Sequence, residues 1–290
     1  MKQFNDMPND QYHSHKDYIS SSFVKGVAKH SIGKALQPIQ PSQALLFGDA
    51  MHTFFEDKVA YTKRFRVFDD TAIIADILER RPDISAPTMT KDYKVFKQEF
   101  EECLKQGEQV ISMQDHDTII KMHNSAMNNQ GLKKVMELYE PAKVLDEYSF
   151  FTEEEDLYGL KYRVRPDRLL QRNSERLAII DWKSCRDASG RAFKSDFWKY
   201  RYDLQAAFYC QVLGVPMDDF YFVAIEKEYP YNTAVYGIDS ETQDRATEEL
   251  GKVLYRIGEW KDNPTPQNES ISNANTITLL WVPNKKHLEN

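Results

Sequence analysis

The stretch Arg163-Val164-Arg165-Pro166-Asp167-Arg168-Leu169-Leu170, followed by Leu177-Ala178-Ile179-Ile180-Asp181-Trp182-Lys183-Ser184, most constrains what this chain can fold into. Both segments read as β-strands. The second has a β-branched centre at Ile179 and Ile180, and Pro166 holds the first extended. The polar run Gln171-Arg172-Asn173-Ser174-Glu175 between them predicts a turn, and so an antiparallel hairpin. Alternate side chains of a strand share a face. The pattern sends Leu177, Ile179, Asp181 and Lys183 one way, and Ala178, Ile180, Trp182 and Ser184 the other. A carboxylate and an ammonium thus lie two residues apart on one face, with a second carboxylate, Asp167, on the neighbouring strand.

Two acids converging from adjacent strands suit Mg²⁺, a hard cation that prefers oxygen ligands. A lysine beside them could orient or deprotonate a water, or steady the charge of a phosphoryl transition state. An arbitrary Asp-x-Lys triplet is usually a solvated ion pair and no more. Here Ile179, Ile180 and Trp182 embed the acid in an apolar strand, where an unpaired charge is costly. That context favours a functional site over a salt-bridged hairpin.

Pro166-Asp167 followed by Asp181-Trp182-Lys183 resembles the PD-(D/E)xK nuclease signature. The surrounding residues 162–168 and 179–189 are similar to the RecE (exonuclease VIII) branch of that superfamily. Other motifs follow in the order of that family. Ile19-Ser20-Ser21-Ser22-Phe23, preceded by Tyr12, supplies hydroxyl caps for a helix running to about His30. A helix predicted over 42–61 places Gly48, His52 and Glu56 on one face. It resembles the glycine-to-histidine motif of RecB-like and RecE-like nucleases, in which the histidine joins the metal site and the glycine lets the helix approach the sheet. Glu56 either orients His52 or faces solvent. In the helix predicted over 202–213, Gln205 and Tyr209 share a face and match the Gln-x-x-x-Tyr motif of RecB-like nucleases.

Composition limits the alternatives. At 290 residues the chain has room for one large α/β domain with insertions, or for two small ones. Its net charge of −7 argues against a passive DNA-coating protein, yet basic residues cluster between 163 and 201, around the signature. Cys103, Cys185 and Cys210 are scattered, which fits neither a disulfide framework nor a zinc or iron–sulfur cluster. No apolar run reaches membrane-spanning length and the polar N-terminus has no signal-peptide core, so a cytoplasmic location is expected.

The remaining expectations concern the order of elements. Residues 1–17 read as polar and either mobile or an arm. Residues 63–68 read as a short strand, and helices are expected near 70–80, 93–106, 114–128 and 131–139, with a brief extended link at 110–112. His116 and His123 have no acid at a ligand spacing and read as structural. Residues 144–152 read as one strand, whose Glu147 either points to the site or is an edge charge. Phe193, Phe197, Trp198, Tyr200 and Tyr202 either stack on bases or form core and interface, the second being commoner. Further strands are expected at 218–226 and 233–237, a long helix over 241–261, a linker over 263–275 and a closing strand over 276–282.

The resemblance implies an α/β fold with a PD-(D/E)xK (restriction-endonuclease-like) core. That core is a central mixed sheet flanked by helices with a helical insertion. Residues 1–262 would form one nuclease domain, with the insertion at about 70–140 and the catalytic core at about 144–240. By resemblance the chain would be a phage- or prophage-encoded enzyme of the bacterial host cytoplasm. It would degrade linear double-stranded DNA from 5′ ends, leaving 3′ single strands for an annealing protein, and it would assemble as a ring-shaped homo-oligomer. His52, Asp167, Asp181 and the carbonyl of Trp182 would hold Mg²⁺, for which Mn²⁺ could substitute, and Lys183 would act on the water. Gln205, Tyr209, Arg163, Arg165 and Arg168 would position DNA. The alternatives are another RecB-like nuclease, either an endonuclease or a single-strand exonuclease, and a catalytically silent DNA-binding or assembly module.

Overall fold

The longest strand, Glu175–Cys185, is the third of five in a mixed sheet. The structure is a computed structural model and describes residues 1–265 other than Asp6 and Ile39. Ala178, Ile179, Ile180, Asp181 and Trp182 are all buried, which requires cover on both faces of the sheet. On one side the strand runs parallel to Phe220–Glu226, whose far edge carries Thr233–Tyr236 antiparallel. On the other it is antiparallel to Arg168–Arg172, which pairs in turn with Lys143–Asp146. A parallel pair needs a crossover. The helices Gly190–Tyr200 and Tyr202–Leu213 supply it.

Two apolar layers sandwich this sheet. Leu169, Ile179, Phe220 and Phe222 face residues of Ser21–Lys29, Tyr202–Leu213 and the long helix Ser240–Asp262. Ile180, Trp182, Val223 and Ile225 face Phe47, Met51 and Phe55 of Gln43–Glu56, and Ile119 and Met122 of Met113–Asn128. This is the expected α/β core, a mixed sheet flanked by helices. Between its first helices and the sheet lie the helices Thr71–Arg80, Lys91–Glu102, Met113–Asn128 and Gln130–Leu138. The extended link around 110–112 is a strand, Gln109–Ser112, paired parallel with Phe65–Phe68.

The hairpin forms, but its first arm is shorter than expected. Residues 163–170 are not one strand. Lys161–Val164 belongs to a second, four-stranded sheet, and the chain crosses to the central sheet through Arg165-Pro166-Asp167. Pro166 has no N–H to give to a ladder, so the strand breaks there. Alternation also fails at Leu177, which packs with Ile180 and Trp182 rather than with Ile179. The cause is an irregularity in register at Leu170/Gln171.

Two other predicted elements divide. Residues 144–152 form Lys143–Asp146 in the central sheet and Ser149–Phe151 in the second, broken at Glu147, whose φ is 55°. The helix expected over 42–61 stops at Glu56 and restarts at Lys58. Asp57 interrupts it because its carboxylate accepts the N–H groups of Val59 and Ala60, at 2.7 and 3.0 Å, and so starts a new helix.

The N-terminal arm is built into the fold. Lys2–Phe4 pairs with Ser149–Phe151, and Tyr18–Ile19 with Lys161–Tyr162. Tyr12 is buried beneath the guanidinium groups of Arg163 and Arg165. Arg163 donates to the carbonyls of Tyr12 and His15, and Arg165 donates to that of Met7 at 2.9 Å. The linker after 265 and the expected closing strand lie outside the described residues. Replacing Arg163 by methionine keeps the apolar stem and removes these charged hydrogen bonds. The expected loss is about 1.5–3 kcal/mol, read by denaturant unfolding, with faster proteolysis within residues 1–17. An arm as well protected as in the wild type would contradict this role.

Candidate active site

The sheet crossing delivers the first acid. Asp167 follows Pro166 and ends up beside Asp181, because Arg168 pairs with Ile180 in the next strand. One carboxylate oxygen of Asp167 accepts the backbone N–H of Trp182 at 2.7 Å, and the other lies 3.3 Å from His52 Nδ1. Tyr209 anchors the crossing itself, donating its hydroxyl to the carbonyl of Arg165 at 3.0 Å. The N–H of Glu147 donates to the carbonyl of Asp167 at 3.2 Å.

His52 arrives from the helix Gln43–Glu56, capped by Ser42, whose hydroxyl accepts the N–H of Leu45. Phe47, Ala50, Met51 and Phe55 bury one face of this helix against the sheet. That packing aims His52 and Glu56 at Asp167. Gly48 does not provide the close approach that the resemblance implies: a Cβ there would meet no atom within 4 Å. The residues of this helix that are wholly buried are Ala50 and Met51.

Glu56 turns inward. Its side chain is only 4% exposed, one of its oxygens lies 3.8 Å from His52 Nδ1, and that oxygen has no hydrogen-bond donor. Glu147, thrown out of the ladder by its left-handed backbone, joins it. Ligand atoms of His52, Glu56, Glu147 and Asp167 all lie within 4.8 Å of one another. Three carboxylates and an imidazole, with one buried oxygen lacking a donor, are a donor set suited to a divalent cation.

Asp181 completes the floor. It is fully buried, forms an ion pair with Lys183, and accepts a hydrogen bond from the Gln205 amide. The Gln205 carbonyl oxygen in turn accepts from Lys25 Nζ at 2.9 Å. Gln205 and Tyr209 therefore divide their work: one holds the second acid and the other holds the crossing that carries the first.

Burial and neighbouring charges set the protonation states. Burial pushes the Asp181 carboxyl up to about 6, against the pull of Lys183. Asp167 is also buried, but the positive charge of His52 and Lys183 holds it below the usual carboxylate range. Burial alone would deprotonate His52. The charge and hydrogen bond of Asp167, helped by Glu56, instead keep the imidazolium well above its ordinary range. Lys183 is held above the ordinary lysine range by Asp181 and Asp167 despite its burial. Burial raises Glu56 and Glu147. Lys25 goes the other way, lowered to about 8 by burial and by repulsion from Lys183.

The arginines are engaged within the protein. Arg163 and Arg165 fasten the arm, and Arg165 also donates to Ser149 and pairs with Glu147. Arg168 forms a two-pronged pair with Asp146, at 2.7 and 3.1 Å, above the Trp182 ring. His116 hydrogen-bonds to the Tyr61 hydroxyl at 2.8 Å, and His123 meets the edges of Phe54 and Phe55, both structural positions. Lys25 was not legible in advance. Its one sequence cue is its place between the buried Val24 and Val27 of Ser21–Lys29, a costly position for an ammonium with no partner.

A cavity of about 970 Å³ is walled by His52, Glu56 and Glu147 and by Met7, Tyr12 and His13 of the arm. Residues 20–270 match the family profile described as "PDDEXK-like domain of unknown function (DUF3799)". The chain belongs to this family. The matched span contains Asp167, Asp181 and Lys183. A candidate exonuclease from Eubacterium rectale is similar in fold, the alignment covering 99% of each chain at 14% identity and a TM-score of 0.55. A phage-related exonuclease from Haemophilus somnus aligns over 66% of this chain and 94% of its own, at 14% identity. Its TM-score of 0.29 carries no argument. No curated protein matches. Among the described residues no helix is long and apolar enough to cross a membrane.

Cation binding here should be visible without catalysis. The carboxylates must be free of protons and the His52 imidazole neutral to act as ligands, so affinity falls as pH drops, with protonation of Asp181 adding to the loss at about 6. Adding Mn²⁺ or Mg²⁺ at about a hundred times its dissociation constant should stabilise the protein by about 2.7 kcal/mol at pH 8. The gain in Tm should be clearly smaller at pH 5, and mostly absent in Asp167→Asn. An equal shift in that variant would place the cation elsewhere.

Proposed function

We propose that this PDDEXK-family nuclease is a metal-dependent exodeoxyribonuclease acting on the ends of linear double-stranded DNA. In this reading it removes the 5′-ended strand and leaves 3′ single strands for an annealing protein. The observation that carries the reading is that Asp167 meets His52, Glu56 and Glu147 in one cluster of ligand atoms, with the Asp181–Lys183 ion pair on the adjoining strand. The retained lysine favours an enzyme over a silent DNA-binding copy, since a mere scaffold has no chemical need for an ammonium held against two buried acids. The RecE-like order of motifs, and the exonuclease name carried by the Eubacterium rectale structure, favour an end-dependent enzyme over an endonuclease.

Asp167, Asp181, His52 and the Trp182 carbonyl would hold the cation, Mg²⁺ or Mn²⁺ in its place, with Glu56 and Glu147 close by. When bound, the cation would supply Lewis-acid stabilisation of charge on the phosphate and a more acidic water. Lys183 has a raised pKa and so stays an ammonium. It therefore acts by orienting the attacking water and neutralising charge on a phosphate oxygen, rather than by taking a proton. Gln205 holds one oxygen of Asp181, which fixes the rotamer of that acid. Tyr209 keeps Asp167 in register by gripping the Arg165 carbonyl. The same reading includes a homo-oligomeric ring around the DNA.

Linear duplexes labelled at either the 5′ or the 3′ end, with a closed circle as control, test the proposal in Mg²⁺. Early release of the 5′ label is expected, with circles untouched. Lys183→Ala should slow cleavage by about 10²–10³-fold, the usual cost of removing one transition-state donor. Cleavage of circles would replace this reading with an endonuclease, and early loss of the 3′ label would reverse the polarity.

A further inference from the structure

Three aromatic rings form a stack that runs from the core to the surface beside the lysine. Phe222 is fully buried in the central sheet and Tyr202 lies on it, with centroids 5.6 Å apart and planes at 26°. Tyr200 stacks on Tyr202 at 5.7 Å and 29°, and is 42% exposed. The outermost ring thus rests on Tyr202 while part of it meets solvent. The Tyr202 ring also lies 4.9 Å from Lys183 Nζ and 5.8 Å from Lys25 Nζ, so the stack begins at the active site.

The backbone is arranged to make this stack. Arg201, between the helices Gly190–Tyr200 and Tyr202–Leu213, has φ of 56°, a left-handed conformation unfavourable for a residue with a side chain. Its guanidinium is locked by two bonds to Asp203 and by Glu249. The sharp corner is what lets residues two apart, Tyr200 and Tyr202, stack on each other. Lys29 and Lys199, both exposed, carry their ammonium groups 5.9 and 5.0 Å from the Tyr200 ring. Asp181 and Asp196 are the acids whose charges reach Tyr202. Asp181 is paired, and Asp196 is half-buried on the preceding turn.

We propose that this corner is a docking step for single-stranded nucleic acid, specifically the strand joined to the phosphate being cut, with a base stacked on Tyr200. The proposal deepens the nuclease reading and rests on it for the identity of the strand. A part-exposed aromatic ring with two exposed ammonium groups over it, joined through Tyr202 to Lys183, has the chemistry of sequence-tolerant single-strand binding. The flanking lysines reach phosphates as point charges. At roughly 3.4 Å or more per nucleotide, Tyr200 lies within a few nucleotides of Lys183. Buried Phe222 and the Arg201 clamp pre-order the ring, so little entropy is lost when a base joins the stack.

The test separates binding from chemistry. Fluorescence anisotropy with a labelled oligothymidine in EDTA reads docking, and hydrolysis of bis(p-nitrophenyl) phosphate in Mn²⁺ reads the catalytic centre without a base. Tyr200→Ala should weaken oligonucleotide binding by about 5- to 150-fold, the range of one base–aromatic stack. Tyr200→Trp should restore it, and Lys29→Glu combined with Lys199→Glu should flatten its salt dependence. Tyr200→Ala should leave hydrolysis of the small ester unchanged, whereas Lys183→Ala should abolish it. Binding by Tyr200→Ala within twofold of wild type would overturn the docking site, as would loss of blunt-duplex binding with single-strand binding intact. Absence of ester and DNA hydrolysis in the wild type would instead sink the nuclease reading, with Tyr200-dependent oligonucleotide binding still supporting the surface.

Discussion

The site depends on one hydrogen bond, from the backbone N–H of Trp182 to the carboxylate of Asp167. That bond closes the gap left where the chain passes from the second sheet to the central one. Because side chains alternate, a slip of one residue in the crossing would turn Asp167 away from Asp181 and His52. Several contacts act against such a slip. Tyr209 grips the Arg165 carbonyl, Glu147 donates its N–H to the Asp167 carbonyl, and the Arg165 side chain is tied to Ser149 and the arm. The arm, the second sheet and the Gln205–Tyr209 helix therefore share one task, which is to fix where Asp167 points.

The same architecture places several charges out of water. Buried ion pairs contribute little net stability, and removing one partner leaves the other exposed to a large desolvation cost. The protein meets this by interleaving signs: His52 between Asp167 and Glu56, Lys183 against Asp181, and Lys25 reaching Asp181 through Gln205. The balance is incomplete at Glu56, where a buried oxygen has no donor. A site organised for packing alone would not keep that oxygen. It is a local cost in stability of the kind that functional centres carry.

The hairpin and the ion pair it carries were readable from residue order because both are local. A polar five-residue run between two β-branched segments makes a turn, and an acid within an apolar strand needs a partner close by. His52, Gln205 and Tyr209 were readable as helical faces, since i, i+4 spacing survives folding intact. What stayed hidden was set by contacts distant in sequence. Pro166 announced a break but not that the chain would change sheets there, and Glu147 gave no sign that it would adopt a left-handed backbone. Arg163, Arg165 and Arg168 look like a basic patch in one dimension, yet the structure turns them to the carbonyls of the arm and to Asp146. Lys25 lies 180 positions from the glutamine that it meets. The aromatic run was ambiguous for a related reason: spacing alone could not show that Phe193 stacks inward on Tyr236 while Tyr200 ends a stack at the surface.

The central claim is that the crossing at Arg165–Asp167 creates one cation site shared by Asp167 and Asp181. Crystals grown with Mn²⁺ and measured at its absorption edge would locate the ion by anomalous scattering. The account predicts a peak within coordination distance of both Asp167 and Asp181, with His52 beside it. Peaks confined to surface acids, or an ion held by Glu56 and Glu147 with Asp181 still bound only to Lys183 and Gln205, would contradict it.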